Sequence, residues 1–419
     1  MEQMIRSEAI DWLFNLSVHG IKLGLRNITE LLRRLGDPQN EFRCIHIAGT
    51  DGKGSTSAMT ESVLRESGLR TGLYTSPHIL DFNERIRVNG ESISDDDMVR
   101  LSNLIRKHID DMRKEDMLCT FFEATTAIAF AYFAEKGVEY AVIEVGMGGS
   151  FDATNIIVPD VSIITNISME HTEYLGNTIE EIAFQKAGII KKGVPVVTCN
   201  SGPALRVIEE VASEAGSKVT VTDEVTITSQ SDVSTDMRYR GEEYRIGMPG
   251  DYQAKNASLV LDALKELPCY DRIEPHVREG LSKVYWPCRM QRIGDLIVDV
   301  SHTEAGTAVV SENIARIYGK VIMVIGVLSD KDIQGIARNM SRIASKVIIT
   351  TPPSERAADT SKVCEAFSRH LRDVKLIPVL SDAMDVAMEA RGDEKVLVTG
   401  SLYMAEGVMK WLKRTSVGF

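Results

Sequence analysis

Cys44-Ile45-His46-Ile47-Ala48-Gly49-Thr50-Asp51-Gly52-Lys53-Gly54-Ser55 is the stretch that decides the fold. Residues 44–48 form a short apolar run that reads as a buried strand. A glycine-rich turn follows at once, and a helical pattern continues to about Ser67. Strand, glycine loop and helix together make a phosphate-binding unit. The glycines let backbone N–H groups converge on phosphate oxygens, and the helix N-terminus adds its positive end. Lys53 can then reach the terminal phosphates as a mobile point charge. The loop departs from the usual G-x-x-x-x-G-K-[ST] pattern. Ile47 stands at the first glycine position and Gly54 fills the hydroxyl slot, so a magnesium ion must find hydroxyls elsewhere. A ligand-free glycine turn is the competing reading, and a lysine set among three glycines speaks against it.

Outward from that unit the pattern repeats. Apolar strands at 140–143, 161–165 and 194–198 alternate with helical stretches at 122–136, 178–190 and 203–215. Alternation of this kind gives a mostly parallel sheet covered on both faces. Ligands bind such sheets at the carboxyl ends of the strands, so the loops after 48, 143 and 165 are the places to search. Ahead of the unit, 7–35 reads as one helix closed by Gly36-Asp37-Pro38. Residues 217–247 look β-rich, a small meander, and 250–266 returns to helix. After Tyr285-Trp286-Pro287-Cys288-Arg289 a fresh series starts, with strands near 296–300, 320–326, 346–350, 375–379 and 395–399. The expected fold class is therefore α/β. It comprises a P-loop ATPase domain with a mostly parallel sheet, 1–288, and a smaller Rossmann-like α/β domain, 289–419.

Composition bounds the function. At 419 residues the chain exceeds one ordinary core, and 43% hydrophobic with 26% charged residues is a globular composition. A formal charge of -12 argues against a general nucleic-acid coat protein. It does not forbid a small anion, for which a local cluster of N–H groups and cations is enough. Six scattered cysteines with no CxxC pair argue against a structural zinc and a disulfide framework. The N-terminus lacks the order of a signal peptide, and no apolar run approaches a membrane span. The expectation is a cytoplasmic protein with no nucleic-acid or membrane partner.

The remaining candidates sit at strand ends. Glu144 precedes Val145-Gly146-Met147-Gly148-Gly149, a carboxylate beside a flexible loop that suits magnesium. His171 follows the 161–165 strand; alone it would more often be an ordinary histidine, but beside two other polar strand ends ligation becomes the better reading. Lys186 lies near a helix end, where a lysine is commonly just solvated. Asp299 and His302 end a strand of the second domain, and Asp330-Lys331-Asp332 follows another.

Together these segments resemble the folylpolyglutamate synthase/dihydrofolate synthase family of Mur-type ligases, over nearly the whole chain. The carrying motifs are His46–Ser55, Thr75-Ser76-Pro77-His78, Asn83-Glu84-Arg85-Ile86, Phe122-Glu123-Ala124-Thr125-Thr126, Glu144–Gly149 and Asp152-Ala153-Thr154-Asn155. His171-Thr172, Leu175-Gly176, Lys186–Lys191, Gly250–Ala257, Trp286–Arg289, Asp330–Asp332 and Gly400–Tyr403 follow in the same order. The resemblance implies a Mur-type central domain followed by a ligase domain. It implies that ATP phosphorylates a carboxylate of a folate-type pterin, whose acyl phosphate is attacked by the amine of L-glutamate. Such phosphoryl transfer needs positioning and charge neutralisation rather than a covalent nucleophile.

Carried over by motif, the resemblance assigns Gly49, Thr50, Asp51, Gly52, Lys53, Gly54 and Ser55 to the phosphates, Gln253 and Asn256 to the nucleotide, and Arg289 to a phosphate. It assigns Ser76, Glu144 and His171 to magnesium, with two metal sites expected. Lys186 would be the carbamylated lysine of the family, and Asp299 and His302 would contact ATP or the incoming amino acid. Pro77, His78, Asn83, Glu84, Arg85, Phe122, Glu123, Asp152, Thr154 and Asn155 fall on the substrate side. A monomer is expected. The chain departs from the family pattern at several positions: Thr303 replaces a usual Asn, Ser150 a frequent Arg, Gln291 a common Glu, Tyr252 a frequent His and Asp51 a common Asn. A related ligase acting on a modified pterin or another carboxylate cofactor is the alternative. A nucleotide-dependent switch would instead show slow ATP hydrolysis that no carboxylate–amine pair stimulates.

Overall fold

The computed structural model describes residues 4–19 and 24–415. Its first sheet contains β1 (Arg43–Ala48), β2 (Thr71–Tyr74), β3 (Ile86–Val88), β4 (Glu91–Ser92), β5 (Tyr140–Glu144), β6 (Val161–Ile164), β7 (Val196–Thr198) and β8 (Val219–Val221). The spatial order is β4-β3-β2-β5-β1-β6-β7-β8. From β2 to β8 neighbouring strands run parallel, whereas β3 and β4 pair antiparallel at one edge. The central strands are buried along almost their whole length, which is why they read as unbroken apolar runs.

β1 lies between β5 and β6, with Ile47 level with Glu144 on one side and Ile163 on the other. The chain leaves β1 toward β2 on one flank and returns to β6 on the other. The carboxyl end of β1 is thus the point where the winding reverses, the place at which α/β sheets hold ligands.

Helices α1 (Arg6–Asn15), α2 (Arg26–Arg34), α3 (Lys53–Glu66), α4 (Asp95–Arg113), α5 (Phe121–Glu135), α6 (Thr172–Leu175), α7 (Ile179–Ala187), α8 (Gly202–Glu214) and α9 (Tyr252–Lys265) accompany this part of the chain. α4 starts where the Ser94 side chain accepts the Asp97 N–H. α5 starts in a capping box in which Thr120 and Glu123 satisfy each other's backbone N–H groups. The single helix expected over 7–35 is corrected. It is two helices, α1 and α2, with a 3-10 turn at Leu16–His19 after the first, and 20–23 lies outside the described residues. A helical stop does occur at Gly36 and Asp37, both with positive φ.

The chain packs as two compact units. One holds residues up to Val225 together with Lys255–Val284; the other holds Thr226–Ala254 and residues from Tyr285 onward. The meander expected over 217–247 is shorter: β9 (Thr226–Gln230), β10 (Thr235–Tyr239) and β11 (Glu242–Ile246) form an antiparallel sheet that belongs by packing to the second unit, whereas 219–221 is β8, a parallel edge strand of the first sheet. Asn313 of that unit anchors it: its side-chain oxygen accepts from Gln230 at 2.6 Å, and its amide donates to Asp251 at 2.7 Å. The second unit also carries a six-stranded sheet of β12 (Gln291–Ile293), β13 (Leu296–Val298), β14 (Val321–Ile325), β15 (Ala344–Ile349), β16 (Val374–Leu376) and β17 (Lys395–Thr399), ordered β12-β13-β17-β14-β15-β16. It is parallel apart from β12. Among the described residues no helix is long and apolar enough to cross a membrane.

Candidate active site

Two glycines fix the loop between β1 and α3. Gly49 has φ +148° and Gly52 φ +87°, a region in which side chains are strained. A Cβ on Gly49 would lie 1.8 Å from Thr165 Oγ1, and one on Gly52 2.5 Å from Asn256 Oδ1. The loop therefore lies directly against the end of β6 and against α9. It is stitched there by Thr50 N–H to the Asn166 carbonyl at 2.7 Å, Thr165 Oγ1 to the Asp51 carbonyl at 2.8 Å, and Ser168 Oγ to Asp51 Oδ2 at 3.2 Å. With the loop held in this way, α3 opens at Lys53 with Gly54 and Ser55 in its first turn, where the positive end of a helix faces an anion.

Two ammonium groups meet at this loop. Lys53 Nζ donates to the carbonyls of Gly49 (3.1 Å) and Thr50 (3.0 Å), and Lys186 Nζ donates to the same Gly49 carbonyl at 2.7 Å. Lys186 is buried, and that burial, reinforced by the charge of Lys53, lowers its pKa to about 7. It is not the solvated lysine that a helix end commonly carries.

Glu144 ends β5, buried, and its Oε2 accepts the Ser76 N–H at 3.2 Å. Ser76 and Glu144 thus come together. His171 sits on the loop after β6, half-exposed, with φ +51° and its ring Nε2 3.9 Å from Glu170. Among the described residues no group of three or more His, Cys, Asp or Glu gathers as a metal cage. The hydroxyl and carboxylate oxygens of Ser76 and Glu144 nevertheless suit a hard ion that keeps its remaining ligands as water and phosphate.

Beside these groups a cavity of about 500 Å³ is lined by Ser76, Pro77, Arg85, Phe121, Phe122, Glu123, Asp152, Gln185 and the Gly146–Gly149 backbone. Gly146 is needed because a Cβ there would lie 2.5 Å from the Phe122 ring. Arg85 is buried with its guanidinium 5.6 Å from the Phe82 ring centroid and 5.3 Å from that of Phe121. Burial pulls its pKa down, opposed by Tyr74 and Glu144. Asp152 is buried too; burial raises its pKa against donors from Thr154 and Met147.

The substrate-side residues divide by position. Pro77, Arg85, Phe122, Glu123 and Asp152 line the cavity. His78, Asn83 and Glu84 hold the loop that carries them: His78 Nδ1 accepts from Arg85 at 2.8 Å, Asn83 donates to the Ile93 carbonyl at 2.9 Å, and Glu84 accepts the N–H groups of Ile79, Leu80 and Asp81. Thr154 and Asn155 stand behind Asp152, with Asn155 donating to the carbonyls of Ser150 (3.1 Å) and Gly188 (3.0 Å). Phe121, Phe151, Tyr174 and Gln185 also line the cavity and carry no motif signal. In the second unit Asp299 is buried and accepts the N–H groups of Met290 (3.0 Å) and Ser301 (2.8 Å). His302 Nδ1 lies 2.8 Å from the Val300 carbonyl. Thr303 caps the helix Glu304–Ile317 by accepting the Gly306 N–H, a task its hydroxyl performs as well as an amide would.

Comparison with known proteins agrees with this arrangement. Residues 47–264 match the Mur ligase middle domain, and 288–402 match the Mur ligase, glutamate ligase domain. A dihydrofolate synthase/folylpolyglutamate synthase of Bacillus subtilis is 34% identical, with 97% of this chain and 99% of that protein aligned. The chain belongs to the folylpolyglutamate/dihydrofolate synthase family of Mur ligases. Two solved relatives show the same fold for this family. A Mycobacterium tuberculosis folylpolyglutamate synthase, complexed with ADP and AMPPCP, matches with a TM-score of 0.86 at 30% identity over 99% of both chains. An Escherichia coli FolC in complex with DHPP and ADP matches at 0.83 and 26%, covering 97% of this chain and 98% of that one.

Proposed function

We propose that the protein is an ATP-dependent ligase that joins L-glutamate to the carboxylate of a folate-type pterin through an acyl phosphate. One observation carries the reading. Gln185 lines the cavity while its neighbour Lys186 reaches the Gly49 carbonyl of the phosphate loop, so a bound acid and a bound triphosphate would be neighbours. The Mycobacterium and Escherichia relatives, crystallised with nucleotides and DHPP, support the same two ligands.

In this reading Lys53 leaves the Gly49 and Thr50 carbonyls to neutralise the transferring phosphoryl group, helped by the N–H groups opening α3. The Arg85 guanidinium draws an anionic acid into an otherwise apolar cavity. Ser76, Glu144 and His171 would hold magnesium, which when bound shields the phosphate charge. Lys186 is a site for carbamylation, because a pKa of about 7 leaves much of the amine unprotonated near neutral pH, the form that reacts with carbon dioxide. Asn256, against Gly52, and Gln253, on the same helix, face the nucleotide. Arg289 takes a phosphate, and Asp299 and His302 serve ATP or the amine. The same reading places the boundary of function near 288/289 and the protein, as a monomer, in the cytoplasm, where six free cysteines stay reduced.

The test is phosphate release by purified protein given ATP, magnesium and glutamate with either dihydropteroate or a reduced folate. Stimulation by one of these acids is expected. ATP binding without stimulation by either removes the folate assignment and leaves a related ligase for another carboxylate.

A further inference from the structure

His46 is wholly buried in β1, and its ring has one directional contact: Nε2 lies 2.8 Å from Thr154 Oγ1. The Thr154 hydroxyl has a single proton, and it lies 2.5 Å from Asp152 Oδ1. Asp152 also accepts the Thr154 N–H on Oδ1 and the Met147 N–H on Oδ2, both at 3.0 Å. A carboxyl group faced by this many donors is the acceptor, so Thr154 gives its proton to Asp152 and must accept from His46. The ring then carries its hydrogen on Nε2 and a bare lone pair on Nδ1. The structure agrees, since Nδ1 is buried with no hydrogen-bond partner among the described residues. Burial also drives the ring pKa down to about 3, so it is neutral under working conditions. Of the three residues only Asp152 lines the cavity. An apolar residue would fill the same core space without orphaning a nitrogen, so packing alone does not account for the ring.

We propose that His46 is a positioning residue: its Nε2–H locks the Thr154 hydroxyl onto Asp152 and so holds that carboxylate in one orientation toward the acid substrate. The proposal rests on the reading of the cavity as that substrate's site. A relay of this kind acts on the binding of one substrate and leaves the phosphate loop, three residues further along the chain, untouched.

The experiment uses the full-length enzyme with dihydropteroate or folate, whichever it turns over. His46→Leu removes the donor and keeps the volume; His46→Gln returns an N–H at similar reach; Thr154→Val removes the relay hydroxyl. His46→Leu and Thr154→Val should each raise KM for the acid about tenfold, the effect of one mis-set hydrogen bond to a charged group. KM for ATP and kcat should stay close to wild type, the double variant should be no worse than either single one, and Gln should recover most of the loss. Nitrogen-15 spectra of the imidazole should show a neutral ring protonated at Nε2. An unchanged KM with only a lower melting temperature, multiplying effects of the two substitutions, Gln no better than Leu, or a ring protonated at Nδ1 would each overturn the relay. If the wild type uses neither acid, the cavity reading has failed, and the imidazole spectra alone still decide the hydrogen-bond chain.

Discussion

Replacing Gly49 by alanine tests the phosphate loop where it is tightest. The added Cβ would lie 1.8 Å from Thr165 Oγ1, 2.9 Å from Thr165 Cβ and 3.2 Å from its Cα, so no side-chain rotation alone makes room. Gly49 also sits at φ +148°, and a side chain forced into a positive-φ region costs about 1–2 kcal/mol. Turning the Thr165 hydroxyl aside breaks its 2.8 Å bond to the Asp51 carbonyl, about 1 kcal/mol more. Overpacking adds about 1–3 kcal/mol. The total, about 3–6 kcal/mol, should lower the melting temperature of the first unit by about 6–24 °C at ~2–4 °C per kcal/mol. Any relief by loop movement misplaces the phosphates, and a shift of about 1 Å is enough to cost ~100-fold in rate. Thermal unfolding and phosphate release measure both. The companion variant, Gly49→Ala with Thr165→Gly, removes the two nearest atoms and should recover part of the stability, a coupling that only direct contact produces. Gly49→Ala with wild-type melting and turnover, or a double variant that melts at the sum of two independent losses, would refute the loop geometry.

Further outcomes follow from the same site. Lys53→Ala should slow turnover by about 100-fold or more, the size of a single lost electrostatic contact in transition-state stabilisation, with folding unaffected. Lys186→Met should abolish turnover yet stabilise the fold by a few kcal/mol, roughly, in acid. The folded pKa is depressed to about 7 from 10.5, so the cost of burying the charge is complete below pH 7. It fades as pH rises toward 10.5, and denaturant midpoints measured from pH 6 to 10 should show the stabilising effect shrinking along that window. Arg85→Met should keep the aromatic packing and raise KM for the acid about 10–100-fold, read in steady-state kinetics, because a buried guanidinium facing a carboxylate contributes about 1.5–3 kcal/mol.

What the sequence reveals depends on whether a feature is local. β1, β5 and β6 are legible because burial on both faces leaves them uniformly apolar, and the loop after β1 is legible because Gly49 and Gly52 answer steric demands within a few residues. The α1–α2 pair reads as one helix because Leu13, Leu16, Ile28, Leu31 and Leu32 all face a common core. Gly24, at φ +130°, is the break signal that the periodicity hides. Helix α4 is hard to read although Ser94 and three following aspartates mark its start, since its apolar positions are diluted by charge. The cavity is the least legible part. Its walls come from chain segments around 76–85, 120–123, 146–153 and 174–185, and only tertiary folding brings them together. Motif matching therefore groups Asn83 and Glu84 with Arg85, while the structure gives the first two to the loop and the third to the cavity.

The placement of the chemistry follows from the winding of the sheet. At the reversal point β1 ends in backbone donors, β5 ends in a buried carboxylate, and the segment after β6 pins the loop through Thr165 and Asn166. A parallel sheet would otherwise leave strand ends facing helices, whereas here two crossovers diverge and leave a gap that polar groups must fill. Lys186 enters that gap from α7 and shares the Gly49 carbonyl with Lys53, so two lysine side chains compete for one acceptor before any anion arrives. Placing two such groups together is costly in isolation and is relieved by whatever brings negative charge, which supports the proposed role of the loop in holding phosphate. The cavity lies on the β2–β5 side of the same gap through Ser76 and the glycines after Glu144. The fold thus sets a cavity and a glycine turn against one buried carboxylate, the juxtaposition that the proposed transfer of a phosphoryl group from the turn to an acid in the cavity requires.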